Sequence, residues 1–187
     1  MFRLILLIAL TANLAVGQEL QEKFQEAVSR VAPSVVTIET AGGMDKIGKV
    51  LKGQGPTTGL AITSDGYIVT SSFNFVQKPA SIIVSLPGGV RCPAELVASD
   101  LTRKVTLLKV DAELRVPEVA ETSSVRVGQW SIAVGRTWGE DTPAISVGII
   151  SALNRVWGKA IQTDAKVSPT NYGGPLLDLK GRVLGVL

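Results

Sequence analysis

The 187-residue chain contains no histidine. That absence removes a Ser-His-Asp triad, a histidine-assisted cysteine nucleophile and any histidine-ligated metal centre. Cysteine is almost as scarce. Cys92 stands alone, which excludes an intrachain disulfide and a cysteine cluster for metal. It sits in Val90-Arg91-Cys92-Pro93-Ala94, where Arg91 is the one neighbour able to favour a thiolate, and it reads as a small core residue. No cofactor and no metal are therefore expected. Charge of neither sign dominates. The formal net charge is +3, and no basic run is long enough to suggest nucleic acid. Long apolar runs are missing too: Leu4 to Leu10 is short for a membrane span.

What is present is a chain with 45% apolar residues, enough for a sizeable core in one domain or two small units packed together. Met1 to Gly17 reads as a secretory signal. Arg3 supplies the positive start, Leu4 to Leu10 the apolar stretch, and Ala15-Val16-Gly17 the small residues before Gln18. The alternatives are an uncleaved anchor and a buried helix. Cleavage would leave residues 18–187 in the periplasm or outside the cell. Leu20, Phe24, Ala27, Val28 and Val31 recur at helical spacing, so Gln18 to Val31 is predicted as an amphipathic helix that Pro33 stops. Ser34 to Thr40 is rich in β-branched residues and reads as a strand.

Residues 41–58 read as a polar loop made basic by Lys46, Lys49 and Lys52, with Gly42, Gly43, Gly48, Gly53 and Gly55. A phosphate-cradling role is rejected because a strand, not a helix, follows. Gly59 to Thr70 is a hairpin about Ser64-Asp65-Gly66. Pro93 to Val97 and Val105 to Val110 read as strands. The polar stretch 111–124, with Pro117, reads as a connection. Val125 to Gly135 and Ala144 to Ala152 are further strand regions, and residues 178–187 form a last hairpin. Trp130 reads as core or barrel-end packing, and Trp138 and Trp157 as loop or strand-end residues for which ordinary packing is expected over an aromatic contact to a ligand.

Near the end of the chain, Ile161-Gln162-Thr163-Asp164-Ala165 is followed by Ser168-Pro169-Thr170-Asn171-Tyr172-Gly173-Gly174-Pro175-Leu176-Leu177. This resembles the nucleophile loop of the HtrA/Deg family of trypsin-like serine proteases, where I-Q-T-D-A leads to G-N-S-G-G-P-L. Gly59 to Thr70 resembles that family's G-x-I-I-x-x-D-G-Y-I-L-T. Asp100 to Val110 is similar to D-P-x-T-D-L-A-V-L-K-V, and Val125 to Gly135 to V-G-E-W-V-L-A-I-G. Arg136-Thr137-Trp138-Gly139 stands where the family has N-P-F-G. The resemblance runs from about Ser29 to Leu187.

The resemblance implies an all-β fold of two antiparallel barrels with a short N-terminal helix. Barrel one would span about 34–110 and barrel two about 125–187, with the family's site in the cleft between them. Barrel two is expected to be truncated, and no PDZ domain is expected in residues 18–187. The family's serine falls on Tyr172 and its aspartate on Lys104. Its histidine falls on Phe73 when counted from Thr70, or on Asn74 when counted from the strand at Ile82. The former oxyanion loop is Thr170, Asn171, Tyr172, Gly173 and Gly174, with Thr170 replacing a glycine. Around a trypsin-like nucleophile, glycines supply positive φ and allow close approach of the substrate backbone, while loop N–H groups stabilise the oxyanion.

No proton-transfer couple survives at these positions. The expectation is therefore a catalytically inactive homologue, not an enzyme. It would bind peptides or unfolded protein, or regulate active relatives, as a homo-oligomer or a hetero-oligomer with them. Neither nucleic acid nor, after signal cleavage, a membrane is an expected partner. The alternatives are a hydrolase using nonstandard groups, with Lys104 and Tyr172 the pair to consider, and a structural or decaying gene product.

Overall fold

A computed structural model describes residues 2–42, 46–47, 50–51, 56–76, 78–136 and 142–187. A single helix α1 (Phe2–Val31) opens the chain, without a break at Gly17. One glycine inside a helix costs only about 1 kcal/mol relative to alanine, too little to end it. A 3₁₀ turn, Ala32–Ser34, with Pro33 inside it, does end it. Among the described residues, no helix is long and apolar enough to cross a membrane. The predicted helical face packs inward: Ala27, Val28 and Val31 are buried, and Phe24 meets Trp130 edge-on at 5.7 Å. Trp130 is thus a partly exposed lid on the helix rather than a core residue.

Strands β1 (Val35–Ala41), β2 (Lys46–Ile47), β3 (Val50–Leu51), β4 (Thr57–Ala61), β5 (Tyr67–Ser71), β6 (Ser81–Ser85), β7 (Arg91–Asp100) and β8 (Val105–Val110) make up the first unit. Six of them close an antiparallel barrel in the order β1-β4-β5-β8-β7-β6, and β2 and β3 pair apart. The stretch 41–58 therefore contains paired backbone where a loop was expected. Gly43, Gly48, Lys49, Lys52, Gly53 and Gly55 lie outside the described residues. The hairpin at Ser64-Asp65-Gly66 forms, with Gly59 opposite Thr70 and Ala61 opposite Ile68. Cys92 on β7 is only half-buried, packed against the barrel core from its edge.

Strands β9 (Trp130–Gly135), β10 (Ala144–Asn154), β11 (Ala160–Thr163), β12 (Pro175–Leu177) and β13 (Val183–Val186) make an open five-stranded sheet, in the order β11-β10-β9-β12-β13. The architecture is thus mostly β: a closed barrel, an open second sheet and an N-terminal helix.

Alternation along β1 and β4 explains how the two units join. Val36 and Ile38 point into the barrel with Ile68, Val84 and Leu108. Val35 and Leu60 point the other way, into a second core with Ile132, Val134, Leu177 and the helix residues Ala27, Val28 and Val31. A strand with a core on each face reads as continuous burial, and all five residues of β4 are buried.

Candidate functional site

The loop resembling a nucleophile loop is built from its base upward. Thr163 ends β11 with its hydroxyl 2.7 Å from that of Ser131, and it also accepts the Ala165 N–H at 3.0 Å. Asp164 accepts the Ile149 N–H at 2.7 Å and returns its own N–H to the Ile149 carbonyl. The Thr-Asp-Ala of the motif therefore ties the loop to β9 and β10. A capped 3₁₀ turn, Pro169–Asn171, follows. Ser168 N–H donates to Asn171 Oδ1 at 3.1 Å, and the Ser168 hydroxyl to the same atom at 2.9 Å. The turn delivers Tyr172 to the junction of the two units.

Thr57 and Thr58 of β4 hold that delivery in place. The Thr57 hydroxyl donates to the Tyr172 carbonyl at 2.5 Å, and the Thr58 N–H donates to the same oxygen at 3.2 Å. The Thr58 hydroxyl donates to the Thr170 carbonyl at 2.5 Å and accepts the Arg136 N–H at 2.9 Å. Arg136, itself buried, reaches across to the Ala32 carbonyl at 3.1 Å. Both threonines precede the recognisable hairpin motif, and nothing in their sequence context marks them. Arg136 was visible only as a departure from N-P-F-G. Trp138, two residues on, lies outside the described residues.

The glycines after Tyr172 answer to this packing. Gly173 has φ +85°, and a Cβ there would lie 2.6 Å from the Ser71 nitrogen and closer still to Thr58 O and Thr70 Oγ1. The close approach is therefore to the barrel's own backbone. A Cβ on Gly174 would collide with the Val134 carbonyl of β9, in the second sheet.

The structure brings the predicted positions together unevenly. Phe73, in the 3₁₀ turn Ser72–Phe75, meets Tyr172 edge-to-face with centroids 5.3 Å apart and planes at 74°. The side chain of Asn74 lies outside the described residues. Lys104, at φ 59° in an exposed turn, touches this region through its backbone: its carbonyl accepts the Ser72 N–H at 2.8 Å. Among the described residues, no hydrogen bond joins its ammonium to the Tyr172 hydroxyl. Beside it, Asp100 accepts the Thr102 and Arg103 N–H groups and pairs with the Arg103 guanidinium at 2.7 Å. Chiefly the Arg103 side-chain hydrogen bond, then that residue's backbone N–H, holds the carboxyl below its ordinary pKa.

The amides of residues 171–174 are occupied. Asn171 N–H donates to Ser168 O, Tyr172 N–H to Pro169 O, Gly173 N–H to Leu187 O and Gly174 N–H to Asn171 O. No amide from residue 171 to residue 174 is left pointing at a developing oxyanion. The chemistry displayed at the junction is an aromatic pair: Phe73 is 39% exposed and Tyr172 half-buried with a phenolic hydroxyl.

A closed β-barrel joined to a second antiparallel sheet, with a glycine-flanked loop at the seam, defines the trypsin-like architecture. The sequence profile of the trypsin-like peptidase domain matches residues 57–186, and the chain belongs to that family, on its HtrA-type branch. It is 41% identical over 135 residues to a probable periplasmic serine endoprotease DegP-like of Halomonas elongata, covering 69% of this chain and 28% of that protein. It is 36% identical over 143 residues to the putative serine protease HhoB of Synechocystis sp., covering 71% and 34%. A DegP-like relative in Pseudomonas fulva is 32% identical over 169 residues, covering 87% and 34%. The chain thus spans about a third of the length of the curated relatives it matches.

These relatives correct one expectation. The reading that the chain is not an enzyme is overturned, because the proteins it matches are named serine endoproteases. The physical reason is one of scope. Lacking histidine excludes the Ser-His-Asp mechanism and leaves open reactions that do not use it.

Proposed function

We propose that the junction between the barrel and the second sheet grips an extended segment of unfolded polypeptide, and that the chain does so after export. The observation that carries this reading is the Phe73–Tyr172 pair, an apolar contact presented where the family's loop meets the barrel. Unfolded chains expose aromatic and aliphatic side chains, and a partly exposed aromatic pair gives them surface to bury. Covering roughly 50–60 Å² of it contributes about 1.4 kcal/mol, a tenfold change in affinity. Export is supported by the N-terminal Arg3 and Leu4–Leu10 pattern and by the word periplasmic in the DegP-like relatives' names. On this reading, residues 1–17 are the signal.

The test is fluorescence anisotropy with labelled casein as the unfolded polypeptide, run beside a gel that reports cleavage. Binding that weakens about tenfold in both Phe73→Ala and Tyr172→Ala supports the reading. Absence of binding, or binding that neither variant changes, overturns it. If fragments appear on the gel, the groups that cut are not a Ser-His-Asp triad.

A further inference from the structure

The turn joining β10 to β11 carries a feature unrelated to the seam. Residues 154–159 read Asn-Arg-Val-Trp-Gly-Lys. The Arg155–Ala160 bridge closes the hairpin, and β11 is the outer strand of its sheet. At the tip, Val156 and Trp157 adopt left-handed backbone (φ 49°, ψ 56° and φ 54°, ψ 45°). A β-branched residue and a tryptophan are poorly suited to that region, which glycine or asparagine occupies without strain. The strain brings no packing in return. Trp157 is 89% exposed and Val156 54%, making Trp157 the most exposed large apolar side chain among the described residues. Strain held without an internal contact points to an external one.

The chemistry around the tip says what that contact is. Arg155 and Lys159 flank the two apolar side chains, and residues 154–162 include no Asp or Glu. Arg155 is held by Gln162 Oε1 at 3.1 Å, and among the described residues neither cation forms an ion pair. The tip is the end of a hairpin, so it presents apolar side chains outward with a collar of positive charge. Tryptophan at the headgroup level with lysine and arginine reaching phosphates is how protein surfaces meet anionic bilayers. We propose that the Val156–Trp157 tip docks on an anionic phospholipid surface, with Arg155 and Lys159 contacting lipid phosphates. This reverses the sequence expectation that a membrane is not a partner, and it stands apart from the polypeptide reading.

The test is co-sedimentation of the full chain with vesicles of phosphatidylglycerol and phosphatidylcholine mixed, against pure phosphatidylcholine. The expected result is at least fivefold tighter binding to the anionic vesicles. That preference should fall at least fivefold in Trp157→Ser and at least threefold in Arg155→Gln with Lys159→Gln. Because Trp157 is exposed, Trp157→Ser retains the parent circular dichroism spectrum, and α1 is common to every variant compared. Equal binding to both vesicle types, or binding that Trp157→Ser leaves unchanged, overturns the proposal. Loss of a self-associated species in Trp157→Ser, seen by sedimentation velocity without vesicle binding by the parent, also overturns it and assigns the tip to protein contact.

Discussion

Gly173→Ala isolates what the paired glycines do. At φ +85° an alanine costs about 1–2 kcal/mol from its own backbone. Its Cβ would also press on Ser71 N, Thr58 O and Thr70 Oγ1, atoms of β4 and β5 that have no room to retreat. Overpacking of that kind adds about 1–3 kcal/mol, for a total on the order of 2–5 kcal/mol. Gly128 supplies the control. It has φ +87° and nothing within 4 Å of a built Cβ, so Gly128→Ala should cost only the backbone share, about 1–2 kcal/mol. Urea unfolding followed by circular dichroism reads the difference. With a slope of about 2 kcal/mol per molar, Gly173→Ala should lower the midpoint by about 1–2.5 M and exceed Gly128→Ala by at least about 0.5 M. Equal shifts would refute the argument that Gly173 exists to let the loop seat on the barrel.

Three further outcomes follow from the same geometry. Thr58→Val leaves the Arg136 N–H and Thr170 carbonyl without the hydroxyl that serves both, and should cost about 2–4 kcal/mol in urea unfolding. Because the Asp100 carboxyl is held below its ordinary pKa, its contribution is present above the unfolded value and lost as pH falls through the folded one. Asp100→Asn should therefore reduce stability near neutral pH and leave the acid end of the pH–stability curve unchanged. Val156→Asn relieves a left-handed β-branched residue at an exposed site and should raise stability by about 1 kcal/mol, read as a higher urea midpoint.

The fold was legible where local pattern and family motif agreed. The turn at Ser64-Asp65-Gly66 marked its hairpin, and the strands Tyr67–Ser71 and Val105–Val110 alternate with period two, with Ile68, Leu108 and Val110 in the barrel core. The helix was legible over Gln18 to Val31, where Phe24, Ala27, Val28 and Val31 face the second core, but its extension back to Phe2 was not. A signal pattern and a helix share the same apolar composition. The junction was half legible. Motif counting reached Tyr172 and Phe73, and the aromatic contact between them required the three-dimensional fold. Counting left Phe73 and Asn74 as equals, since an alignment by motif has no depth. Thr57 and Thr58 went unmarked, and Arg136 showed only as a departure from N-P-F-G, because their work is done by hydroxyls and amides across 78 to 115 residues of sequence. The glycine pair was legible by position, while its reason lay in atoms of β4 and β5 beneath Gly173 and in the β9 backbone beneath Gly174.

A polypeptide held at the seam where Tyr172 meets Phe73 would lie within reach of a probe at position 172. Replacing Tyr172 with the photoreactive aromatic benzoylphenylalanine tests it directly, with labelled casein added before illumination and exposed Arg126 carrying the same probe as a control. A cross-linked casein adduct is expected from position 172 and little or none from position 126. Equal adducts from both positions, or none from 172 while casein remains bound, would contradict it.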